Sequence, residues 1–323
     1  MEFRTLGRTD LKVSRLSIGT MTFGSQVSEA DAIRMMDRCL EHGINFVDTA
    51  NVYNNGLAET ITGKSLKGRR HNVVLATKVR GKMGEEPEDV GLTRAAIRRA
   101  IDGSLKRLQT DVVDLYYMHL PDWNTPIQES LAAMDELVRE GKVRYPAASN
   151  YSAWQICQML WLSENHGYTP PTVSQPMYNL LARGIEQEFL AFCKEYNVAV
   201  VPYNPLAGGL LTGKHSAQEG PPAGTRFHDN KMYLDRYWHP ALFSAVEKLS
   251  AIAQREGMSL VALAFRWLLA QPLVDSIILG ATRLEQIDEN VKACQGPLLS
   301  EQVLNECEGV WTELRGVTPK YNR

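Results

Sequence analysis

The predicted fold is organised around the stretch Ile44-Asn45-Phe46-Val47-Asp48-Thr49-Ala50-Asn51-Val52-Tyr53. Its apolar run stops at an acid, Asp48, and a phenol, Tyr53, follows five residues later, just before the turn signal Asn54-Asn55-Gly56. Loop residues that a rigid strand holds in place are typical of functional sites. An acid at the end of a buried strand and a phenol on the next loop therefore indicate a reaction site rather than part of a core.

The same pattern recurs on the next two predicted strands. The run Val73-Val74-Leu75-Ala76-Thr77 is followed by Lys78, and the run Asp114-Leu115-Tyr116-Tyr117-Met118 is followed by His119. In a barrel of parallel strands, the carboxyl ends of the strands lie at one face, where the chemistry takes place. We therefore expect these two side chains to converge with the acid and the phenol of the opening stretch.

Short apolar runs alternate with helical patterns along the whole chain. Continuous apolar strands are typical of a parallel sheet that is covered on both faces, and eight such units predict a (β/α)8 TIM barrel. A hairpin around residues 6–10 precedes the barrel, and an extra helix over residues 301–314 follows it. A doubly wound open sheet is disfavoured, because the segment from Gly19 to Gly24 lacks G-x-G-x-x-G spacing. Strand ends are predicted near Gly19, Asp48, Lys78, His119, Ser149, Gln175, Tyr203 and Leu279.

The second half of the chain contains one long connection. We expect a helix over residues 185–196 and a strand over residues 198–203. The segment 207–239 that follows is rich in Gly, Pro and aromatic residues. A structureless connection of that length is typical of a lid or binding loop.

Composition limits the classes of function. A chain of 323 residues is compatible with one barrel domain over residues 1–323. A net charge of -2 gives no reason to expect nucleic acid or an anionic membrane as partner. The five cysteines are scattered, so neither a disulfide nor a metal site is expected. The N-terminus lacks a secretory apolar segment and no apolar run approaches the ~20 residues of a membrane span, which predicts a cytoplasmic protein. The oligomeric state is left open.

The polar residues at the strand ends suit acid/base chemistry. A free tyrosine has a pKa of about 10 and is a poor proton donor or acceptor near neutral pH. A lysine cation lowers that pKa, and a carboxylate fixes the lysine. Asp48, Lys78 and Tyr53 thus form a relay that tunes a phenol, while His119 suits a hydrogen bond to a substrate oxygen. The expected task is protonation of an oxygen while another group attacks the carbon.

Over essentially its whole length the sequence resembles the aldo-keto reductases. The matching motifs together are far more specific than any one of them. They are Asp48-Thr49-Ala50-x-x-Tyr53 with Glu59; Ala76-Thr77-Lys78; the 105–114 run before Tyr116-Tyr117-Met118-His119; Ala148-Ser149-Asn150-Tyr151-Ser152; Ser174-Gln175-Pro176-x-Tyr178-Asn179; Val201-Pro202-Tyr203-Asn204-Pro205-Leu206 with Gly208-Gly209-Leu210-Leu211-Thr212-Gly213-Lys214; and Gly280-Ala281-Thr282-Arg283 with Gln286 and Glu289-Asn290.

The resemblance implies a barrel that binds NADPH and reduces the carbonyl group of a small molecule. By it, Tyr53 is the general acid/base, Lys78 and Asp48 tune it, and His119 orients the carbonyl. Ser149, Asn150 and Gln175 would hold the nicotinamide carboxamide and Tyr203 would stack on its ring. The full set of implied cofactor contacts is Gly19, Thr20, Met21, Asp48, Ser149, Asn150, Gln175, Tyr203, Asn204, Pro205, Leu206, Gly208, Leu210, Lys214, Arg226, Gly280, Thr282, Arg283, Gln286, Glu289 and Asn290.

The end of the last strand agrees with this implication. Gly280-Ala281-Thr282-Arg283 lies where a strand gives way to a helix N-terminus, which favours an anion, and Arg suits phosphate. By the resemblance, Thr282 and Arg283 would contact the adenosine 2′-phosphate, and Gln286 and Asn290 the adenine. This pattern favours NADPH over NADH.

The sequence departs from the usual pattern of the family in two segments. Strand five reads Tyr145-Pro146-Ala147-Ala148-Ser149-Asn150 instead of Tyr-Ile-Gly-Val-Ser-Asn. Because Pro cannot donate to a sheet, we expect a bulge beside Ser149. Asn204 replaces the common Ser before Pro205, which is expected to change the pyrophosphate contacts.

Candidate substrate contacts lie on loops at the same barrel end. The expected contacts are Phe23, Tyr53, Arg80, His119 and Trp123. An apolar pocket suits aldehydes and ketones, whereas Arg80 would select an acidic substrate, and the sequence leaves this choice open. Further candidate walls are Met21, Val52, Tyr233, Tyr237 and Trp238.

Two alternative functions are kept. Lys78 is compatible with a Schiff base in an aldolase-like barrel. A non-catalytic nucleotide-sensing subunit, as in the channel-associated branch of the family, is the second alternative, and the complete set of Asp48, Tyr53, Lys78 and His119 weighs against it.

Overall fold

A computed structural model of the chain describes residues 1–228 and 230–319. An antiparallel hairpin pairs β1 (Phe3–Thr5) with β2 (Lys12–Ser14). A second, parallel sheet has the order β10-β3-β4-β5-β6-β7-β8-β9. Its strands are β3 (Leu16–Gly19), β4 (Phe46–Asp48), β5 (Val74–Val79), β6 (Val113–Met118), β7 (Val143–Ser149), β8 (Val173–Gln175), β9 (Ala199–Val200) and β10 (Ile277–Leu279).

The eight-stranded sheet closes on itself between β9 and β10. Val200 forms a parallel bridge with Val274. The Asp275 amide donates to the Val200 carbonyl at 2.9 Å, and the Ile278 amide donates to the Pro202 carbonyl at 3.2 Å. The expected (β/α)8 barrel with its N-terminal hairpin and extra C-terminal helix is confirmed.

Eleven helices are formed by the described residues. Several of these helices begin at a Ser or Thr N-cap, as the sequence predicts. The Ser28 side chain accepts from the Asp31 amide and the Thr93 side chain from the Ala96 amide. The helices are α1 (Glu29–Glu41), α2 (Leu57–Ser65), α3 (Arg94–Leu108), α4 (Ile127–Arg139), α5 (Ala153–His166), α6 (Phe189–Glu195), α7 (Lys231–Tyr237), α8 (Pro240–Arg255), α9 (Leu260–Ala270), α10 (Glu285–Cys294) and α11 (Glu301–Arg315). None of the helices in the described ranges combines the length and apolarity of a membrane span.

Alternation along the strands separates two cores. Side chains of successive strand residues point to opposite faces of a sheet. One face packs against the helices and forms the larger core. The other face fills the barrel, and the hairpin residues Leu6, Leu11 and Val13 pack against its lower end. The inward residues on the strands are Phe46, Val74, Ala76, Leu115, Tyr117, Ala147, Val173, Ala199 and Ile278.

This alternation determines which polar residues face the barrel mouth. Asp48 stands two residues after the inward Phe46, Lys78 two after Ala76, and His119 two after Tyr117. Ser149 and Gln175 follow the inward Ala147 and Val173 in the same way. The sequence therefore ends the inward row of each of these strands with a polar side chain.

Three expectations about secondary structure were wrong. Residues 185–196 do not form one helix. A 3-10 turn over Gly184–Glu186 precedes α6, and Glu188 between them has a non-helical φ of -146°. The strand expected over residues 198–203 is limited to β9, because Pro202 has no amide to donate. The connection 207–239 is not structureless: it holds a 3-10 segment over Ala207–Thr212 and the helix α7.

The bulge expected near Pro146 is also absent. β7 pairs with β6 in constant register from Val143 opposite Val113 to Ala148 opposite Met118. The carbonyl of Pro146 accepts from the Thr172 amide, and Thr172 lies just before β8 begins. Because the nitrogen and carbonyl of a strand residue face the same neighbour, the missing amide faces a part of the barrel where β8 has not yet started.

Candidate active site

Four polar side chains meet at the carboxyl ends of β4, β5 and β6. Lys78 Nζ lies 2.6 Å from Asp48 Oδ1 and 3.5 Å from the Tyr53 hydroxyl. The rings of Tyr53 and His119 are 5.9 Å apart, edge to face at 77°. The structure thus brings together the four residues that the strand-end pattern singled out.

A left-handed turn holds Tyr53 over Lys78. Asn54 and Asn55 adopt φ of 49° and 52°, a conformation that Asn tolerates better than most residues. Asn54 Nδ2 donates to the carbonyls of Met21 and Phe23. The turn is therefore tied to the neighbouring loop after β3, with the Tyr53 hydroxyl 3.5 Å from Lys78 Nζ.

The Lys78 ammonium has a partner for each of its protons. Besides Asp48 and Tyr53, it donates to the Thr49 carbonyl at 2.7 Å, and an ammonium has three donors. The side chain is fully buried. Burial acts to lower the pKa of Lys78, but Asp48 and Tyr53 together raise it above its ordinary value. Lys78 is therefore a cation.

The Tyr53 phenol stays protonated at neutral pH in this site. Burial raises the pKa of Tyr53 and outweighs the opposite effect of Lys78, while Asp48 adds to the rise. Lys78 acts on the pKa of Tyr53 in the expected direction and lowers it, but burial has the larger effect, so the pKa of the phenol lies above its ordinary value. A phenol beside a fixed cation is suited to donating its proton, because the anion left behind is stabilised.

His119 is a neutral imidazole. Burial, helped by the cations of Lys78 and Arg80, lowers its pKa to about 3. Its carbonyl accepts a hydrogen bond from Asn150 Nδ2 at 3.0 Å, which fixes the backbone at the end of β6. A neutral ring has one N–H to donate, and the His119 ring lies edge to face with the ring of Tyr53.

A second polar network lies at the ends of β7, β8 and β9. Gln175 Nε2 donates to Asp48 Oδ2 at 2.8 Å, and Ser149 Oγ donates to the Gln175 carbonyl at 2.9 Å. Asn150, in left-handed φ of 64°, accepts from the Tyr203 hydroxyl at 2.6 Å. The residues expected to hold a nicotinamide thus form one connected group beside Asp48.

Asn204 connects this group to the long segment before α8. It has φ of 57° and its Oδ1 accepts from the Tyr233 hydroxyl at 3.3 Å. Its Nδ2 is buried and has no partner among the described residues. A Cβ on Gly208 would lie 2.7 Å from Tyr233, so only glycine fits there. Asn204 Nδ2 is therefore an unpaired donor, and Gly208 provides a nearby backbone position that carries no side chain.

Another group of expected contacts lies where β10 meets α10. Arg226 Nη2 lies beside Gly280, 3.4 Å from the position that a Cβ on this glycine would occupy. Gln286 Oε1 accepts from the Thr282 amide at 2.7 Å, and Asn290 Nδ2 donates to the Gly280 carbonyl at 3.3 Å. Among the expected cofactor contacts, the side chains of Lys214, Thr282, Arg283 and Glu289 are exposed.

Several expected contacts lie elsewhere or are inaccessible. Phe23 and Leu210 are fully buried and pack in the core, so their side chains have no surface for a ligand. Tyr237 is buried, with its hydroxyl on Asn179 and on the sulfur of Met177. These expectations are corrected because the loops fold their apolar side chains inward. The remaining expected positions, Gly19, Thr20, Met21, Val52, Pro205, Leu206 and Trp238, are buried or partly buried, and Thr20 Oγ1 has no partner among the described residues.

Two expected substrate contacts border cavities outside the four-residue cluster. Arg80, at φ of 130°, lines a cavity of about 230 Å³ with Asn51 on the α3 side of β5. The Arg80 cation nevertheless lowers the pKa of His119. Its charge therefore influences the four-residue cluster at the barrel mouth. Trp123 is 77% exposed and borders a cavity of about 170 Å³ beside Trp154 on α5.

Sequence reasoning missed two residues of the site. Arg236 on α7 interacts with the Tyr203 hydroxyl; no signal was available, because α7 itself was not predicted. The ring of Tyr117 lies under the Lys78 ammonium, 5.8 Å from its centroid. Alternation along β6 places Leu115, Tyr117 and His119 on the same face of the sheet, and this pattern could have identified Tyr117. Among residues 1–228 and 230–319, no His, Cys, Asp and Glu side chains group as a metal site.

Comparisons with known proteins agree with this geometry. A family model described as "Aldo/keto reductase family" matches residues 15–312. The "Probable voltage-gated potassium channel subunit beta" of Oryza sativa subsp. japonica is 39% identical over 96% of this chain and 96% of its own length. The "Uncharacterized oxidoreductase YrpG" of Bacillus subtilis (strain 168) is 38% identical over 99% of each chain. The "Aflatoxin B1 aldehyde reductase member 2" of Rattus norvegicus is 33% identical over 95% of this chain and 87% of its own length. The chain belongs to the aldo/keto reductase family.

Proposed function

We propose that this protein is an NADPH-dependent reductase of aldehydes and ketones. The main support is that the Lys78 ammonium donates three hydrogen bonds, to Asp48, to the Thr49 carbonyl and to the Tyr53 hydroxyl. Such an arrangement holds a phenol that can give up a proton next to a fixed cation. The "aldehyde reductase" name of the rat relative supports the same class of substrate.

The roles of the four side chains follow from their charges. The neutral His119 donates a hydrogen bond to the carbonyl oxygen and aligns it with the Tyr53 hydroxyl. Tyr53 gives its proton to that oxygen as the carbonyl becomes an alcohol, and Lys78 stabilises the phenolate that is left. Asp48 keeps the ammonium in place and balances its charge. The phenol regains its proton from solvent.

The chain also has groups that fit a dinucleotide. When bound, NADPH supplies the hydride that no side chain here can provide. The unpaired Nδ2 of Asn204 and the space at Gly208 suit its polar backbone. Arg226 beside Gly280 and the exposed Arg283 suit an extra phosphate, which supports NADPH over NADH. Ser149, Asn150, Gln175 and Tyr203 are proposed to hold the nicotinamide end.

Substrate contacts are proposed for Tyr53, His119 and Arg80. The Arg80 cation acts on His119, and its Nε has no partner among the described residues. We further propose that residues 1–323 act as one domain and that the protein is cytoplasmic. Free thiols at all five cysteines support that location.

A second candidate is a non-catalytic nucleotide-sensing regulatory subunit, because the rice relative is named as a subunit of a potassium channel. An aldolase-type Schiff base on Lys78 is disfavoured, because its amine is fully buried and its pKa is raised, whereas a nucleophile must be neutral.

Oxidation of NADPH with a panel of aldehydes tests the proposal. We expect turnover by the wild type and a loss of about 100- to 10,000-fold in Tyr53→Phe, with NADPH still quenching protein fluorescence. Tyr116→Phe is the matched control, since that buried hydroxyl has no partner among the described residues and lies in the core against the helices. Binding of NADPH without turnover by any aldehyde would favour the regulatory subunit, and full activity of Tyr53→Phe would refute the mechanism.

A further inference from the structure

Three tryptophans are exposed on one side of the molecule. Trp154 and Trp161 lie seven residues apart on α5 and are 59% and 62% exposed. At that spacing both point to the same side of the helix. Trp123, 77% exposed, borders a cavity of about 170 Å³ together with Trp154 and Gln158. We call Trp123, Trp154, Gln158 and Trp161 the α5 surface.

The α5 surface makes no contribution to the core. The opposite face of α5 supplies the buried residues, among them Ile156, Met159 and Leu160. Single exposed apolar side chains are common, but apolar side chains grouped on one surface typically mark contact sites. Tryptophan is also the residue most enriched among those that dominate binding energy.

The charges around the α5 surface are unusual for an exposed helix. From Ala153 to Ser163 the helix carries no charged residue, and charge appears only at Glu164. The polar positions beside the tryptophans are amides, of which Gln155 and Gln158 line the cavity. An amide both donates and accepts hydrogen bonds. The one carboxylate that lines the cavity, Asp122, already accepts from the Leu92 and Asn124 amides. A face of this kind is therefore complementary to a second copy of itself.

The exposed area is adequate for the centre of a dimer contact. The three exposed fractions add up to about two whole tryptophans, which is roughly 300–500 Å² per copy. A standard interface buries about 800 Å² per partner. The tryptophans would therefore supply about half of it, with Gln158 between them, and polar side chains around this centre would form the rim.

We propose that the α5 surface is the contact between two copies of this chain in a symmetric dimer. The two α5 helices run antiparallel across the two-fold axis, which passes close to Gln158, midway between Trp154 and Trp161. Trp154 of one copy then packs against Trp161 of the other, as an isologous contact requires.

Sedimentation velocity over a range of protein concentrations tests this. We expect a wild-type dimer, and a dissociation constant raised at least about 30-fold by Trp154→Gln or by Trp161→Gln. Leu298→Gln is the matched control, because Leu298 is 88% exposed on the loop before α11 and outside the α5 surface. Thermal unfolding of each variant separates loss of the contact from loss of the fold.

A charge exchange at the two-fold axis makes the test specific. Gln158→Glu and Gln158→Arg should each be monomeric, because like charges then face each other, and mixing the two should restore a dimer. A wild type that stays monomeric would overturn the proposal. So would a dimer that survives both tryptophan variants, or charged variants whose mixture stays monomeric.

Discussion

Gln175 Nε2 donates to Asp48 Oδ2 at 2.8 Å, on the carboxylate oxygen that Lys78 does not hold. β4 and β8 lie on opposite sides of the barrel, so this bond crosses its interior. Both oxygens of the buried carboxylate are thereby satisfied by residues far apart in the sequence. The position of Lys78, and through it of Tyr53, depends on this bond.

Replacement of Gln175 by Leu should weaken the fold and the site together. Asp48 Oδ2 would lose its donor in a buried place, which costs about 1–3 kcal/mol. Urea unfolding measures this cost, and Gln175→Glu, which places a second acid beside Asp48, should cost more. An unchanged unfolding free energy in Gln175→Leu would show that the bond contributes nothing.

Replacement of Lys78 by Met should destabilise the protein by about 3–5 kcal/mol, because it leaves a buried carboxylate without its cation. The double variant Asp48→Asn with Lys78→Met should be more stable than Lys78→Met alone, since no buried charge is then left unpaired. A double-mutant cycle by denaturant unfolding measures this coupling. Simple additivity of the two single changes would contradict the buried pair.

Stability should depend on pH through His119. Its pKa is lowered to about 3 in the fold, whereas in the unfolded chain it is about 6.5. Between these values the unfolded chain binds a proton that the native protein does not. The free energy of unfolding therefore rises with pH through this window, by at most about 1.4 kcal/mol per pH unit from this residue, and levels off above it.

His119→Gln should reduce this slope, measured by urea unfolding at about pH 5 and about pH 7. The exposed His166→Gln serves as control. An identical slope in wild type and His119→Gln would mean that His119 is protonated as readily in the fold as in the unfolded chain.

Gly63→Ala should destabilise the contact between α2 and α3. A Cβ at Gly63 would lie 2.6 Å from the backbone of Arg107 and Leu108, and such overpacking typically costs about 1–3 kcal/mol. Gly309 is the matched control, a helical glycine on α11 with open space around it. Gly309→Ala should stabilise the protein by about 0.5–1 kcal/mol. Thermal unfolding distinguishes the two, and equal effects would rule out the close approach.

The barrel and the four-residue cluster could both be predicted from local patterns in the sequence. Strand period and helix period are local properties, so the alternating apolar runs predicted the order of the elements. The polar residue that ends the inward row of β4, β5 and β6 was visible for the same reason. Asp48, Lys78 and His119 needed only parallel neighbours to meet, and parallel strands follow from the β–α order.

The electrostatics of the site and the burial of the loop side chains could not be predicted in this way, because they depend on the packing of the whole fold. The neutrality of His119 and the raised pKa of Tyr53 come from desolvation, which depends on every element packed around them. Phe23 was an expected substrate contact and lies in the core, while Pro146 fits β7 because β8 starts late on the side that it faces. Such outcomes depend on contacts between residues distant in the chain, and no local pattern records which of its neighbours a loop residue will meet.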